Sequence, residues 1–302
     1  MNIKLTGLIA APHTPFHEDD TINYNLIRKQ ADWLSSNSVI AAFVCGTTGE
    51  WSSLTTTERM AITEHWIAVA PRDLKIIVHV GHNCLSDAQL LAAHANKAGA
   101  YAVAAIAPDY FRPATLNALV EFCSRIAAAA PNLPFYYYHM PAMNGVTFAV
   151  IDFLKVAAER IPNLAGVKYT FENLMDYRQC VAFDNGRFNI LFGRDEIMLS
   201  ALAMGAEGFV GSTYNFAAAT YHKVIGAFQN KDMKAAQAHQ TQAIEMINAL
   251  SRYGGLSAGK AVMKMLGMDC GPVRAPLQSI SAEAYEKLQH ELRVLNLLPT
   301  AK

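Results

Sequence analysis

Residues 75–106 read KIIVHVGHNCLSDAQLLAAHANKAGAYAVAAI, and this stretch decides the fold class. Its two ends are short, nearly continuous apolar runs, which is typical of strands buried on both faces. The segment between them has the spacing of a helix. Ser86 with Gln89 predicts a capping box at its start, and Gly99 predicts its end. A strand, a helix and a second strand in this order predict a βαβ unit with a parallel sheet.

The same alternation of a short apolar run with a helical segment recurs along the chain and predicts eight strands. Eight βα units in residues 1–230 fit a closed (β/α)8 TIM barrel better than an open doubly wound sheet. In addition, no glycine-rich dinucleotide fingerprint follows the first strand. The predicted strands are Gly7-Ala11, Ala41-Cys45, Lys75-Val80, Ala102-Ile106, Phe135-His139, Ala165-Lys168, Asn189-Phe192 and Gly208-Gly211.

Three further helical segments follow the eighth unit and predict a C-terminal extension. The pair Gly254-Gly255 and the turn region from Gly271-Pro272 to Pro276 separate them. We therefore expect an α/β chain in which residues 1–230 form the barrel and residues 231–302 form a three-helix extension. The predicted helices are Met233-Ser251, Gly259-Met265 and Ser281-Leu295.

Composition and charge exclude several classes of function. The 302 residues include 25 basic and 25 acidic side chains, so no net charge would draw nucleic acid or an anionic membrane to the chain. No apolar run approaches the roughly 20 residues of a membrane span. The five cysteines are scattered and lack a Cys-x-x-Cys pair, which favours reduced thiols over disulfides or zinc. We expect a soluble, cytoplasmic protein with no nucleic-acid partner and no membrane partner.

The active site of such a barrel lies at the C-terminal ends of its strands, so polar residues there are candidates. The sixth strand, Leu164-Ala165-Gly166-Val167-Lys168, ends in a lysine after an apolar run. An amine desolvated at that depth is partly neutral and can attack a ketone to form a Schiff base. A lysine that snorkels from the strand end into solvent fits the pattern equally well.

Other strand ends carry hydroxyl and aromatic groups. Gly46-Thr47-Thr48-Gly49-Glu50 follows the second strand and predicts either a nest of free N–H groups for a carboxylate or phosphate, or a tight turn capped by threonine. In the fifth strand, Tyr136 and Tyr138 lie on one side because side chains alternate, and one side must face the barrel interior. A tyrosine there can relay a proton, although most such aromatic residues belong to the core.

Polar turns also follow the seventh and eighth strands. Gly193-Arg194-Asp195-Glu196 and Gly211-Ser212-Thr213-Tyr214-Asn215 are rich in groups that hydrogen-bond sugar hydroxyls. Acids and a serine at these places fit helix capping as well. The ten histidines include no His-Glu-x-x-His motif, and His79 and His82 only bracket a strand end. We therefore expect no metal site.

Taken together, these residues resemble the family of pyruvate-dependent class I aldolases that contains dihydrodipicolinate synthase and N-acetylneuraminate lyase. The resemblance runs over nearly the whole chain, and its motifs stand in order at the strand ends. They are Thr14-Pro15-Phe16, Gly46-Thr47-Thr48-Gly49-Glu50 followed by Glu58-Arg59, Tyr138, Gly166-Val167-Lys168 and Gly211-Ser212.

Within the family, the resemblance is closer to the branch that cleaves N-acetylneuraminate, as the stretch from Phe135 to Ala142 and the two polar turns indicate. Met143 stands where the synthase branch has an arginine for its dicarboxylic substrate. An acidic pair follows Gly193, where a polyhydroxylated chain needs hydrogen-bond acceptors. Both differences favour a sugar acid over a dicarboxylate.

The resemblance implies a class I aldolase that reversibly cleaves N-acetylneuraminate to pyruvate and N-acetyl-D-mannosamine in sialic acid catabolism. Lys168 is implied as the Schiff-base residue and Tyr138 as the proton relay. Tyr110 matches the tyrosine that many members insert into the site of a neighbouring subunit. A homotetramer without a cofactor or metal is implied as well. The implied substrate-binding residues are Thr47, Thr48, Thr170, Gly193, Asp195, Glu196 and Ser212.

Two alternatives stay open. Another aldolase of the family, acting on a 2-keto-3-deoxy sugar acid or making dihydrodipicolinate, would use the same Lys168. Met143 and the acidic pair Asp195-Glu196 speak against the dicarboxylate more firmly than against the sugar acid. A catalytically silent sugar-acid sensor would keep the pocket, but binding alone needs neither Lys168 nor Tyr138.

Overall fold

The computed structural model describes residues 4–295 and residue 297. Its strands form a closed barrel in sequence order, all parallel, and the first strand pairs with both the second and the eighth. The predicted (β/α)8 TIM barrel is therefore confirmed, and no predicted strand boundary differs from the structure by more than one residue. The strands are β1 (Gly7–Ala10), β2 (Ala41–Val44), β3 (Lys75–His79), β4 (Ala102–Ile106), β5 (Phe135–His139), β6 (Leu164–Tyr169), β7 (Asn189–Phe192) and β8 (Gly208–Gly211).

Helices follow the strands around the outside of the barrel, and α10 to α12 form the C-terminal extension. Three short 3-10 segments, Trp51–Ser53, Phe183–Gly186 and Asp195–Ile197, lie between these elements. The helices in the described residues are α1 (Tyr24–Ser36), α2 (Thr56–Val69), α3 (Leu85–Ala98), α4 (Leu116–Ala128), α5 (Pro141–Asn144), α6 (Val150–Arg160), α7 (Leu174–Ala182), α8 (Met198–Ala203), α9 (Tyr214–Gln229), α10 (Met233–Arg252), α11 (Leu256–Met265) and α12 (Ala282–Val294).

Alternation along β5 separates two cores. Tyr136 and Tyr138 lie in the barrel interior with Phe43 and Leu191, whereas Tyr137 packs in the layer between strands and helices. The hydroxyl of Tyr136 is anchored at the lower end of the barrel, where it donates to Asn189 Oδ1 over 3.0 Å. Tyr138 lies two residues further along the strand, so its ring faces the upper end, where the strands terminate.

The start of α3 differs from the prediction. The capping box at Ser86 is wrong, because α3 begins at Leu85 with Cys84 at the N-cap position, and no side chain caps it. The Cys84 carbonyl already accepts from the Ala88 N–H over 3.1 Å, which places Ser86 inside the first turn. The predicted end at Gly99 is confirmed, since this residue has a φ of 86° that favours glycine.

The extension packs on the barrel through α10, which lies along α9, while α11 and α12 pack against α10. The three predicted helices are present, and α11 begins three residues earlier than predicted, directly after Gly255, whose φ is 55°. The division of the chain at residue 230 stays a prediction, and residues 1–3, 296 and 298–302 lie outside the described residues. No helix in the described part of the chain is long and apolar enough to cross a membrane.

Candidate active site

The C-terminal ends of the strands enclose a cavity of about 300 Å³. Its lining comes from the ends of β1, β2 and β5 to β8 and from α10 and α11. A larger cavity of about 380 Å³ beside α11 and α12 contains none of the predicted site residues. The smaller cavity is therefore the candidate active site. The predicted residues that line it are Lys168, Tyr138, Thr47, Thr48, Thr170, Gly193, Asp195, Glu196 and Ser212.

Lys168 lies near the end of β6 and is only 5% exposed. Its ammonium nitrogen lies over the rings of Tyr138 and Phe43, 3.9 and 4.2 Å from the two centroids. No described carboxylate comes within 4.0 Å of this nitrogen. The side chain thus does not snorkel into bulk solvent, and its amine is available to a ligand in the cavity.

The phenol of Tyr138 pairs with the hydroxyl of Thr47. The two oxygens are 3.1 Å apart, and because Tyr138 donates its single phenol proton to Met140 Sδ over 2.9 Å, the Thr47 hydroxyl is the donor to Tyr138. The resemblance implies a carboxylate role for Thr47, and the structure adds that the Thr47 hydroxyl contacts Tyr138. Charge that develops on the Tyr138 oxygen can therefore be shared with a second hydroxyl.

The turn after β2 presents free backbone donors to the cavity. Within the described residues, the N–H groups of Thr47 and Thr48 have no hydrogen-bond partner. Thr14 donates from Oγ1 to the Gly49 carbonyl over 2.7 Å, which holds the turn against the segment after β1. The arrangement favours the anion nest over a simple capped turn, because the donors face the same cavity as Lys168.

Glu50 fastens the same turn to the C-terminal extension. Its side chain is fully buried and forms an ion pair with Lys260 of α11, at 2.8 Å. Its other oxygen accepts from the Arg274 N–H over 2.9 Å. Glu50 has a φ of 58°, a strained value for a residue other than glycine, and these contacts hold it there. The shape of the turn therefore depends on residues more than 200 positions further along the chain.

Asp195 offers an acceptor on the opposite side of the cavity. Its Oδ2 accepts from Thr213 Oγ1 over 2.5 Å, whereas its buried Oδ1 has no partner among the described residues. Burial raises the pKa of Asp195 to about 6, with a contribution from the charge of Glu196, and the hydrogen bonds from Thr213 oppose the shift. At neutral pH the carboxylate is ionised and can accept from a ligand hydroxyl.

Two glycines make room for the polar groups on this side. A Cβ at Gly211 would lie 2.0 Å from Asp195 Oδ1, and a Cβ at Gly193 would lie 2.3 Å from Thr170 Oγ1. No larger residue fits at either place without displacing its polar neighbour. The Thr170 hydroxyl is likewise buried without a partner in the described part of the chain, so it also faces the cavity unsatisfied.

The turn that carries Glu196 is held by charge and by the extension. Arg194 lies 2.6 Å from a Glu172 oxygen and 3.6 Å from a Glu196 oxygen. Gln240 of α10 donates to the carbonyls of Asp195 and Glu196 over 3.1 and 3.0 Å. The sequence contains no local signal for Gln240, because it lies about 45 residues away on a helix whose pattern indicates only packing.

Two residues singled out in the sequence lie outside the cavity. Tyr110 is 81% exposed, and its ring packs only edge to face against Phe111. Met143 is 61% exposed and lines a separate small cavity of about 80 Å³. The structure of a single chain therefore does not bring Tyr110 together with Lys168. It also gives Met143 no contact with the main cavity.

Cavity residues on the extension and after β1 were not predicted. Sequence spacing predicts that α10 and α11 are amphipathic but not which structure they cover, so their contribution emerges only from tertiary packing. The lining residues that were not predicted include His13 after β1, Phe216 of α9, Ile247 and Leu250 of α10, and Leu256 and Gly259 of α11.

A group that could hold a metal ion lies outside the cavity. One ligand atom each of His82, Cys84 and Asp87 lies within 4.8 Å of the other two. The cluster was not predicted from the sequence, where these three residues form no recognised metal-binding motif. His82 Nδ1 already accepts from the Cys84 N–H over 2.9 Å, and Cys84 is exposed. The four other cysteines are buried free thiols, as expected.

A family model described as the dihydrodipicolinate synthetase family matches residues 4–295 of the chain. The N-acetylneuraminate lyase of Mus musculus is 41% identical over 300 residues, which cover 98% of this chain and 94% of that protein. The similarity thus extends over the barrel and the extension alike.

Solved structures give the same result. The N-acetylneuraminate lyase (sialic acid aldolase) of Aliivibrio salmonicida superposes with a TM-score of 0.96 at 41% identity, covering 99% of this chain and all of that one. The Proteus mirabilis N-acetylneuraminate lyase also superposes with a TM-score of 0.96, at 38% identity and with 98% and 100% of the two chains covered.

Proposed function

Since the chain belongs to the dihydrodipicolinate synthetase family, we propose that it is an aldolase that reversibly cleaves N-acetylneuraminate to pyruvate and N-acetyl-D-mannosamine. The observation that carries the proposal is the single cavity that unites a buried amine, a paired phenol, free N–H donors and one unpaired carboxylate oxygen. This reaction needs a nucleophile that attacks the ketone and a group that transfers a proton. It also needs hydrogen-bond donors for the carboxylate and a surface that binds the sugar hydroxyls.

The reaction begins at Lys168. Its amine adds to the C2 ketone of the open-chain sugar acid, and the hydroxyl of the adduct leaves as water after taking the phenol proton of Tyr138, which leaves an iminium ion. The N–H groups of Thr47 and Thr48 hold the adjacent carboxylate, which places the ketone carbon against the amine. The iminium withdraws electrons from the C3–C4 bond, so the protein's own lysine supplies the electron sink and the scheme includes no cofactor or metal.

Tyr138 then takes the proton. Tyr138 has by then given its own proton to the departing water and is a phenolate, so its oxygen accepts the proton of the C4 hydroxyl as the C3–C4 bond breaks, and N-acetyl-D-mannosamine leaves as the aldehyde. The Thr47 hydroxyl stabilises the charge on Tyr138 through their 3.1 Å contact. The remaining enamine gains a proton at C3 and is hydrolysed, which releases pyruvate and regenerates Lys168. Thr170, Gly193, Asp195, Glu196 and Ser212 bind the hydroxylated tail.

Two other aldolase reactions are the alternatives: cleavage of a 2-keto-3-deoxy sugar acid, and the synthase reaction, whose substrate is a dicarboxylate. Asp195 and Glu196 are acidic, so they would repel a second substrate carboxylate. A silent sensor is disfavoured because Lys168 and Tyr138 are both kept at the cavity floor, in contact with each other.

The test combines trapping with turnover. Borohydride added with pyruvate is expected to reduce the iminium and leave a covalent adduct on Lys168, seen by mass spectrometry of the intact chain and its peptides. A lactate-dehydrogenase-coupled assay should detect pyruvate from N-acetylneuraminate. An unmodified mass would contradict the Schiff base. Turnover of other keto-deoxy acids alone would contradict the sugar assignment and leave the mechanism standing.

We also propose that the protein is a cytoplasmic homotetramer, with Tyr110 of each chain entering a neighbouring site. The exposed rings of Tyr110 and Phe111 support burial in an interface. The buried free thiols favour a reducing compartment. Sedimentation of the purified protein should give the mass of four chains. A monomer at micromolar concentration would contradict the assembly and the role of Tyr110.

A further inference from the structure

His13 is a buried polar side chain that the proposed mechanism does not use. It follows β1, lines the same cavity as Lys168 and is only 2% exposed. Neither ring nitrogen has a hydrogen-bond partner among the described residues, although its own backbone carbonyl accepts from Gln30 Nε2 over 3.0 Å. Buried polar atoms in proteins are almost always paired, so two unpaired nitrogens beside a ligand cavity indicate a partner supplied by the ligand.

Gly259 of α11 provides the space for this imidazole. A Cβ at position 259 would lie 2.8 Å from both Cε1 and Nε2 of His13. Gly259 has no positive φ, and a glycine inside a helix lowers helix stability relative to alanine, so backbone conformation does not account for it. The close approach of the His13 ring does account for it.

The part of the cavity wall that comes from α9, α10 and α11 is mostly apolar. Phe216, Ile247, Leu250 and Leu256 belong to it, with Ser251 as a hydroxyl among them, in contrast to the acids and hydroxyls after β7 and β8. Phe216 lies 3.9 Å from a Cβ built at Gly259, the position that meets the His13 ring. A ligand group that fits here has apolar surface for the wall and polar atoms for one imidazole. A hydroxyl lacks the apolar part, whereas an acetamido group has a methyl, an N–H donor and a carbonyl acceptor.

His13 is neutral in this setting. Burial, assisted by the positive charge of Lys260, lowers the pKa of His13 to about 3. The neutral ring carries one N–H donor and one acceptor nitrogen, so it can either donate to the carbonyl of an amide or accept from its N–H.

We propose that His13 and the apolar wall form a subsite for the acylamino group of the substrate, and that Gly259 keeps this subsite open. The inference rests on the proposed function and deepens it. It makes His13 a residue that selects N-acetylated sugar acids over the hydroxylated analogue in which a hydroxyl replaces the acetamido group.

The experiment compares the two substrates in four variants. His13→Leu is expected to raise KM for N-acetylneuraminate about tenfold, the effect of losing roughly one hydrogen bond, and to leave KM for the hydroxylated analogue within about twofold. His13→Gln, which keeps a donor and an acceptor, should stay within about threefold of the wild type on both substrates. Gly259→Ala should raise KM for N-acetylneuraminate as His13→Leu does. The double variant His13→Leu/Gly259→Ala should raise KM no further than either single variant, because both changes remove the same contact.

Three outcomes overturn the subsite. They are an equal loss on both substrates, no loss on either, or additive losses in the double variant. Thermal melting of each variant checks that the chain is folded, and His13→Gln provides the matched fold control. If the wild type releases no pyruvate from N-acetylneuraminate, the proposed function fails and the subsite fails with it. If the wild type is active and selectivity is unchanged, the subsite alone fails.

Discussion

The two ends of the active-site cavity differ in chemistry: the floor around Lys168 is aromatic, whereas the side formed after β7 and β8 is acidic. At the floor, Lys168 is enclosed by aromatic rings, and no carboxylate of the described residues lies within 4.0 Å of its nitrogen. On the side of β7 and β8, Asp195 and Glu196 supply carboxylates. A reactive amine needs an environment without an opposite charge, whereas a polyhydroxylated chain needs acceptors. The contrast predicts that changes at the floor lower the rate and that changes on the acidic side weaken substrate binding.

The largest expected effect tests the floor directly. Lys168→Met should lower kcat by at least about 10⁴-fold and abolish borohydride trapping, because no other described amine lines the cavity. Lys155→Met, at an exposed position on α6, is the matched control and should keep wild-type activity. Residual turnover within tenfold of the wild type would show that the floor is not the reactive end.

The next effect separates the proton relay from Schiff-base formation. Tyr138→Phe should lower kcat by about 10²- to 10³-fold while pyruvate is still trapped on Lys168, because the amine is unchanged. Tyr136→Phe, two residues earlier on the same strand, loses only its hydrogen bond to Asn189. This control should keep kcat within about twofold and lose about 1 kcal/mol of unfolding free energy. Equal kinetic losses in the two variants would contradict the relay.

The acidic side should respond in binding and in stability. Asp195→Asn is expected to raise KM for N-acetylneuraminate about tenfold with little change in pyruvate trapping, since the trapped portion does not reach Asp195. In the wild type, KM should rise as the pH falls through about 6, where the carboxylate gains a proton, and the variant should lack this step. A kcat loss without a KM change would contradict the division between the two ends.

The same variant tests the cost of burying this charge. Because the folded-state pKa of Asp195 is raised from 3.8 to about 6, the protonated form is favoured in the fold, and stability falls as the pH rises through this window. At pH 7.5, the free energy of unfolding of Asp195→Asn should therefore exceed that of the wild type by up to about 3 kcal/mol. The difference should vanish below pH 4. Urea unfolding at both pH values measures it.

The smallest expected effect concerns Tyr110, which lies outside the cavity of its own chain. Tyr110→Phe should lower kcat by less than about tenfold, which corresponds to about 1.4 kcal/mol of barrier, if the hydroxyl acts in a neighbouring site. Phe111→Leu is the adjacent control and should leave kcat unchanged. If neither variant changes kcat, Tyr110 does not act in a neighbouring site, and the rate depends only on floor residues of one chain.

Most of the barrel wall was predictable from the sequence, because each strand is a short apolar run and its last residue marks the catalytic face. Lys168, Thr47 and Asp195 were all identified in this way, and the structure places them in one cavity. The local pattern left one choice open at Lys168, between a buried and a snorkelling side chain. Burial beneath Tyr138 and Phe43 decides it.

The wall formed by the extension was not predictable in the same way. His13 directly precedes the motif Thr14-Pro15-Phe16, but nothing in that motif points to the imidazole, whose setting depends on Gly259, nearly 250 residues later. Gln240 supports Asp195 through a contact that no local spacing encodes. Helical periodicity predicts that a face is buried but not what it is buried against, so these residues needed the structure.

The ion pair between Glu50 and Lys260 has a consequence for the order in which the molecule is completed during synthesis. A nascent chain that has emerged only through α9 already contains all eight strands, yet it lacks Lys260 and Arg274. The turn after β2 then keeps its contact with Thr14 but lacks both contacts that the extension makes with the Glu50 side chain. All eight strands are thus synthesised before the turn can reach its final shape, which waits for the residues that follow α9.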